Sequence, residues 1–256
     1  MKLIVNADDF GYSPGQNQGI IKAHAEGIVT STTCLANAPY LENALSLAKN
    51  HPDLGIGVHL VLDMGTPILP REMIPSLVAP DGSFKKFPED KPLNLIQHEV
   101  YLEWCAQVEK IIASGISPTH LDGHHHLHLH PDLFEVTLSI AKKYNLPIRY
   151  FPCFDELKER KLMAEQKVKA FRGLTDFYKE TVSAEYFYRF KENHALIKDE
   201  VLELMCHPAY IDDIIYSKSS YNIHRIQELI ILTSREVSDS LFSQGITLGN
   251  VRDFLG

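Results

Sequence analysis

Short apolar runs alternate with helix-like patterns along most of this chain, and this alternation constrains the fold more than any single motif. Strands rich in aliphatic and β-branched residues are predicted near residues 3–7, 28–37, 55–62, 116–121, 148–151, 174–178, 201–206 and 246–248. Helices are predicted over residues 14–26, 39–50, 93–114, 131–145 and 221–244, with one or two more within 153–198. The pattern predicts an α/β fold: one (β/α) barrel-like domain over residues 1–256, with seven or eight mostly parallel strands.

Histidines are concentrated in residues 119–131, which read THLDGHHHLHLHP and hold six of the 13 histidines of the chain. A predicted strand ends here, and Pro131 suits the first turn of the next helix. In α/β proteins ligands bind at this end of the sheet. Asp122 and His124 are two residues apart and point the same way if the strand continues, whereas His125 then points to the other face.

Other polar side chains stand at or near the ends of other predicted strands. Asp8 and Asp9 follow the first strand, His59 lies in the third, and His207 closes the strand at 201–206. Each has an ordinary alternative: turn or cap chemistry for the aspartates, a core position for His59, and a structural role before Pro208 for His207. In a barrel, however, these positions converge with Asp122 and His124 on one mouth, which favours a functional site.

The residue types at this mouth suit metal-assisted hydrolysis of an amide. One carboxylate and two histidines leave positions open on a divalent ion for water and substrate, and the ion polarises a carbonyl. We predict Asp9, His59 and His124 as metal ligands. A second carboxylate, Asp8, would take the proton of the water, and His207 would protonate the leaving amine.

Arg149 and Asp122 are candidate substrate-binding residues. Arg149 lies within the strand predicted at 148–151, where arginine can pair with an anionic or hydroxylated substrate, although a plain ion pair explains it equally well. The Pro-rich segment 63–92, which carries six prolines and two glycines, follows the strand of His59. This long loop is either a wall or lid near the site or a tolerated surface insertion.

Composition narrows the class of partner. The net charge is −8 and no basic stripe is present, which argues against nucleic acid. The four cysteines form no CxxC pair, so a thiolate zinc site or a disulfide framework is not expected. Residues 1–7 are too short for a signal peptide, and no apolar run approaches the roughly 20 residues that span a bilayer. We therefore expect a cytoplasmic protein with a small-molecule substrate, and a homodimer remains open.

Several ordered motifs resemble one family. The stretches NADDFG, GIVTSTT, GVHL, THLDGHHHLH, MCHPAYID and HRIQELIILTS are similar to those of the YdjC-like carbohydrate deacetylases, from residue 2 through the last long helix. The resemblance implies a (β/α) barrel-like fold and a metal ion, with Mg²⁺ suggested and Zn²⁺ or another transition metal also compatible. It places the ligands at Asp9, His59 and His124, and the choice of Asp9 over Asp8 rests on analogy with other polysaccharide deacetylases.

The activity implied by the resemblance is removal of N-acetyl groups from chitin-derived oligosaccharides such as chitobiose, including phosphorylated ones. Two alternatives stay open at this point. The ligand set also suits an iron oxygenase with two histidines and one carboxylate. A non-catalytic sugar- or metal-binding protein is the other, although it leaves the aspartate pair and His207 without a task.

Overall fold

The structure, a computed structural model, describes residues 1–87, 93, 95–194 and 201–255. Within them the strands are β1 (Lys2–Phe10), β2 (Ser31–Cys34), β3 (Gly55–Leu60), β4 (Leu121–Gly123), β5 (Ile148–Tyr150), β6 (Ala170–Leu174), β7 (Val201–Cys206) and β8 (Thr247–Leu248). The helices are α1 (Pro14–Ala25), α2 (Leu41–Ala48), α3 (Gln97–Ala113), α4 (Phe134–Tyr144), α5 (Glu156–Gln166), α6 (Glu185–Tyr188), α7 (Phe190–Asn193), α8 (Asp213–Lys218), α9 (Ile223–Leu232), α10 (Arg235–Ser243) and α11 (Val251–Leu255). Two 3₁₀ helices span His124–Leu129 and Lys179–Thr181.

All eight of these strands belong to one sheet, in the order β2-β3-β4-β5-β6-β7-β1-β8. An additional parallel pairing between β1 and β2 joins the two ends of the run from β2 to β1, and β8 extends β1. The pairings of β1 with β7, of β3 with β4 and of β6 with β7 are also parallel. The predicted (β/α) barrel-like fold is confirmed.

Strands β1, β3 and β7 are buried on both faces. Every residue of β1 after Lys2 is buried, as is every residue of β3 and β7. Near-continuous apolar runs are typical of parallel strands covered on both sides. The polar residues that interrupt these runs, Asn6, Asp8, Asp9 and His59 among them, are therefore buried and need partners.

Two compact units can be distinguished. The first comprises Met1–Cys34, Pro39–Ile56 and Phe171–Gly256, and the second comprises Leu35–Ala38 and Gly57–Ala170. In the first unit, Ile4, Phe171, Val201 and Val251 form an apolar cluster. In the second unit, Trp104 on α3 is fully buried.

Helix α1 fixes the chain that follows β7, within the first unit. Ser13 caps the helix by accepting a hydrogen bond from the Gln16 backbone at 3.1 Å, and Pro14 occupies its first turn. Gly19 then allows close approach, because a Cβ there would lie 2.4 Å from Cα of Ala209. Helix packing thus holds the backbone two residues beyond His207.

Several predicted boundaries are wrong. The helix predicted over 221–244 is two helices, α9 and α10, interrupted at Thr233 and Ser234. The Thr233 hydroxyl bonds back to the Leu229 carbonyl, and Ser234 is extended. The helical spacing of apolar residues continues across this break, so the sequence pattern does not reveal where α9 ends. The strand predicted at 174–178 lies at Ala170–Leu174, helix α8 was not predicted, and the strand before the histidines is only Leu121–Gly123.

The Pro-rich segment packs closely against α3 in its described part, residues 63–87; residues 88–92 lie outside the described residues. The Glu103 carboxylate accepts hydrogen bonds from the backbones of Ile68 and Leu69, both at 2.9 Å, and Glu99 accepts one from Ser76 at 2.7 Å. Four apolar side chains of the Pro-rich segment are also buried: Ile74, Leu77, Val78 and Phe84. These contacts argue against a loosely attached insertion.

No helix in the described part of the chain combines the length and apolar character needed to cross a membrane.

Candidate functional site

Asp8 and Asp9 lie near the carboxyl end of β1, in the first unit, and both are buried. The side-chain amide of Asn6 donates to Asp8 Oδ1 at 2.8 Å, and Gln16 Nε2 donates to the Asp8 carbonyl at 3.0 Å. Asp9 has φ of 69°, in the left-handed region that non-glycine residues seldom adopt. Such backbone strain is concentrated at functional sites and needs surrounding contacts to hold it.

Arg225 on α9 supplies one of those contacts. Its Nη2 pairs with Asp9 Oδ2 at 2.9 Å, its Nη1 donates to Gln16 Oε1 at 2.7 Å, and its Nε donates to the Tyr221 carbonyl at 2.7 Å. The guanidinium is thus bonded on three sides while nearly buried. It balances the charge of Asp9 and fixes the direction of that carboxylate.

His207 directly follows β7 and contacts a buried acid, also in the first unit. The backbone N–H of His207 donates to the Glu228 carboxylate, as does the Tyr221 hydroxyl. His207 Nδ1 lies 4.0 Å from Glu228 Oε1, and the His207 ring is 5.9 Å from the Tyr178 ring and 5.5 Å from the Tyr221 ring, between centroids. Glu228 and these aromatic rings therefore surround His207.

Arg225 and Glu228 are not among the predicted site residues. A signal was present: Arg225, Glu228, Leu229 and Leu232 follow the spacing of one helix face, and all four are buried. Charged residues at core-facing positions of an amphipathic helix are rare and need partners. They could have been found by asking which residues of α9 share a face with its leucines.

Burial raises the pKa of Glu228 to about 8, although the bonds from Tyr221 and His207 act in the opposite direction. Between pH 4.5, the ordinary pKa of a glutamate, and a pH of about 8, Glu228 keeps a proton in the folded state that it has released in the unfolded state. The free energy of unfolding should therefore fall as pH rises through this window, by an amount on the order of a few kcal/mol. Glu228→Gln cannot titrate, so we expect its free energy of unfolding to fall less than that of the wild type.

Urea unfolding of both proteins at about pH 5 and about pH 8 measures this difference. Glu185→Gln is the matched control, because Glu185 is exposed in the same unit, and it should keep the wild-type dependence. Parallel pH profiles for wild type and Glu228→Gln would show that Glu228 is ionised throughout.

In the second unit, His59, Asp122 and Arg149 form a fully buried chain of contacts. His59 Nδ1 bonds Asp122 Oδ1 at 2.7 Å, and Asp122 Oδ2 pairs with Arg149 Nη2 at 2.8 Å. The sheet explains this contact, since His59 is the direct partner of Asp122 in the β3–β4 register. Because the Arg149 and Asp122 side chains are wholly buried against each other, the ion-pair alternative raised for Arg149 is what the structure shows.

His124 and His125 share one acceptor, the carboxylate of Asp63. His124 Nδ1 lies 2.7 Å from Asp63 Oδ1, and His125 Nδ1 lies 2.6 Å from Asp63 Oδ2. The strand does not continue through His125, because β4 ends at Gly123, so the predicted divergence of His124 and His125 is wrong. His125 then has φ of 47°, which turns it to the same side.

Asp63 was not predicted as a site residue. Burial acts to raise its pKa, but the hydrogen bonds from His124 and His125 outweigh burial, and the pKa of Asp63 lies well below its usual range. One ligand atom from each of these three residues lies within 4.8 Å of the other two, so the group could also hold a cation. The residue sits in a Pro-rich loop, where no periodic pattern marks it.

Three other histidines of the cluster make structural contacts. His128 is fully buried with Nε2 3.1 Å from the Arg149 carbonyl, and burial lowers its pKa to about 4, so it is neutral and structural. His120 packs against β3, where a Cβ on Gly57 would lie 2.6 Å from its ring. His126 packs edge-on against Phe151 at 4.9 Å. Counting histidines therefore overstated the number at the site.

The structure thus places Asp8, Asp9 and His207 in the first unit, and His59, Asp122, His124 and Arg149 in the second. In the second unit the rings of His59 and His124 lie 5.9 Å apart between centroids. Each ring bonds a carboxylate through Nδ1. In a neutral ring this puts the proton on Nδ1 and the lone pair on Nε2, which is the state that ligates metals.

Comparison with known proteins adds three kinds of similarity. The model of a family described as YdjC-like protein matches residues 2–242. A carbohydrate deacetylase of Brevibacillus brevis is 40% identical over 248 residues, 97% of each chain. One of Enterococcus faecalis is 43% identical over 255 residues, covering 97% of this chain and 96% of that protein. A solved structure from Enterococcus faecalis, described as a proposed cellobiose-phosphate cleavage protein, superposes with a TM-score of 0.89 at 41% identity, covering 98% of both chains.

Proposed function

Because this chain belongs to the YdjC-like family and is a carbohydrate deacetylase, we propose that it removes N-acetyl groups from chitooligosaccharides with the help of a divalent metal ion. The similarity over nearly the whole chain to relatives named carbohydrate deacetylase is the observation that carries this proposal. It favours deacetylation over an iron oxygenase and over a non-catalytic sugar- or metal-binding protein. Chitobiose and its 6-phosphate are the proposed substrates.

We assign the metal to His59 and His124, with Asp9 as the carboxylate ligand. The donor set fits such an ion, since both histidines bond carboxylates through Nδ1 and hold Nε2 in the ligating state. When bound, a divalent ion polarises the acetyl carbonyl and makes water more acidic. Mg²⁺ is proposed, and Zn²⁺ or another transition metal also suits imidazole ligands.

Asp8 and His207 are proposed to move protons. Asp8 accepts the proton of the attacking water, and the Asn6 amide, 2.8 Å from its Oδ1, directs the carboxylate. His207 gives a proton to the leaving nitrogen. Glu228 holds the His207 backbone N–H, so the start of the loop after β7 is tied to α9.

For Asp122 and Arg149 we propose positioning in place of the substrate contact expected from sequence. Both side chains are fully buried, and Asp122 bonds both Arg149 and His59. Asp122 then orients the His59 ring, and Arg149 holds the Asp122 carboxylate in place. Substitution of hydrogen-bond partners of this kind typically lowers metal affinity or activity about 10- to 100-fold.

Acetate release tests the proposal. The purified protein, stripped of metal, should be inactive on N,N′-diacetylchitobiose and on its 6-phosphate, and one of Mg²⁺, Mn²⁺, Co²⁺ or Zn²⁺ should restore activity. Peracetylated cellobiose is the matched control, because it offers acetate esters and no amide. Retention of full activity after chelation would refute the metal, and absence of acetate from both chitobiose substrates would refute the substrate class. A cytoplasmic location and a homodimer stay predictions.

A further inference from the structure

Asp63 occupies an unusual place among the acidic residues of the second unit, because its two oxygens bond two different histidines. Oδ1 lies 2.7 Å from His124 Nδ1 and Oδ2 lies 2.6 Å from His125 Nδ1. An ionised carboxylate can only accept, so both rings donate Nδ1–H. The His125 side chain is mostly exposed, with an exposed fraction of 75%. The side chains of His124 and Asp63 are mostly buried, with exposed fractions of 15% and 13%.

The chain on both sides of Asp63 is held by α3, independently of the histidines. Gln107 bonds both backbone groups of Val61, accepting from its N–H at 3.0 Å and donating to its carbonyl at 2.8 Å. Farther along, Glu103 accepts from the backbones of Ile68 and Leu69. Lys86 donates to the Asp63 carbonyl at 3.0 Å. The carboxylate is therefore placed in advance by the fold.

The same arrangement recurs at His59. There Asp122 bonds Nδ1 at 2.7 Å, and Arg149 in turn bonds Asp122. The two histidines assigned to the metal thus each carry a carboxylate on the ring nitrogen that faces away from ligation. For His59 that carboxylate comes from the neighbouring strand, whereas for His124 it comes from the loop.

We infer that Asp63 is a positioning residue for metal binding: it holds His124 in the Nδ1–H form and so presents Nε2 to the ion. The tautomer of a histidine is set by the bond that its other nitrogen makes, and such partners tune ligand basicity. This inference rests on the proposed metal-dependent function. It also gives the beginning of the Pro-rich segment a role, since that part of the segment carries Asp63.

Nitrogen-15 spectra of the histidine rings test the inference without any metal or substrate. In the metal-free wild type at pH about 8, His124 should be in the Nδ1–H form. Asp63→Ala removes both acceptors and should shift His124 toward the Nε2–H form. Asp63→Asn keeps one carbonyl oxygen as acceptor and should shift it less, and this variant serves if Asp63→Ala does not fold. His124→Gln identifies the resonance.

Calorimetric titration with Zn²⁺ gives the second measurement. Asp63→Ala should weaken Zn²⁺ binding by about 10- to 100-fold. Asp81→Ala is the matched control: Asp81 lies in the same loop, accepts hydrogen bonds from Ser83, and should leave both measurements at wild-type values.

Two results would overturn the inference. One is a folded Asp63→Ala or Asp63→Asn protein with the wild-type tautomer and wild-type Zn²⁺ affinity. The other is loss of Zn²⁺ binding with the His124 tautomer unchanged, which would make Asp63 a ligand itself. A wild-type protein that binds no divalent ion would instead refute the proposed metal dependence, and it would do so before any substitution is made.

Discussion

Asp8→Asn is expected to keep the metal and to lose hydrolysis of the N-acetyl group by roughly 10²-fold or more, the usual scale of general acid–base catalysis. Asparagine has nearly the shape of aspartate but cannot accept the proton of the attacking water. The Asn6 amide that now donates to Asp8 Oδ1 at 2.8 Å can still donate to an amide oxygen, so local structure should survive. Steady-state deacetylation of chitobiose and bound metal per chain are the two measurements.

Asp9→Asn is the matched variant, because Asp9 is the neighbouring residue and the proposed ligand. It should lower bound metal, whereas Asp8→Asn should not. Asp9→Asn also removes the charge that pairs with Arg225 at 2.9 Å, so its free energy of unfolding must be measured beside its metal content. Near-normal turnover in metal-loaded Asp8→Asn would contradict the role of Asp8 as the base. If Asp8→Asn loses the metal and Asp9→Asn keeps it, Asp8 is the ligand and Asp9 is the base.

The fold was predictable because its periodicity is local. Buried parallel strands such as β1, β3 and β7 are continuous apolar runs, and the polar residues in them stand out. His59 was singled out for this reason, and the register of β3 and β4 makes it the direct partner of Asp122, which was singled out in the histidine cluster. Burial on both faces thus leaves a mark that a single sequence displays.

Contacts that depend on tertiary placement were not predictable. Asp63 reaches His124 because α3 holds its loop, and the contact spans 61 residues. The direction of His125 depends on a positive φ, which no neighbouring glycine signals. Arg225 and Glu228 lie on the buried face of α9, which the spacing of the sequence can reveal, but the partners of that face depend on tertiary packing. Asp63, Arg225 and Glu228 were therefore missed, whereas the residues at the strand ends were found.

The proposed acid role of His207 can be distinguished from a structural role by comparing amide and ester substrates. The leaving group of an amide is an amine, which departs badly unless it is protonated, whereas an activated acetate ester has a leaving group that needs little help. Histidine is the side chain that ordinarily changes charge between pH 5 and 8, which suits a proton donor near neutrality. His207→Ala should therefore reduce N-deacetylation by roughly 10² to 10⁴-fold, the range for general acid catalysis, and ester hydrolysis much less.

The comparison needs the metal kept and the loop after β7 intact. Glu228 accepts from the His207 backbone N–H, which alanine retains, so the loop should stay tied to α9 in His207→Ala. His224→Ala is the matched control. His224 stacks on Tyr221 with ring centroids 5.2 Å apart, so this substitution removes a nearby imidazole from the same aromatic group. It should affect amide and ester equally and mildly. Equal losses on amide and ester in metal-loaded His207→Ala would contradict the acid role and would assign His207 to positioning of the substrate.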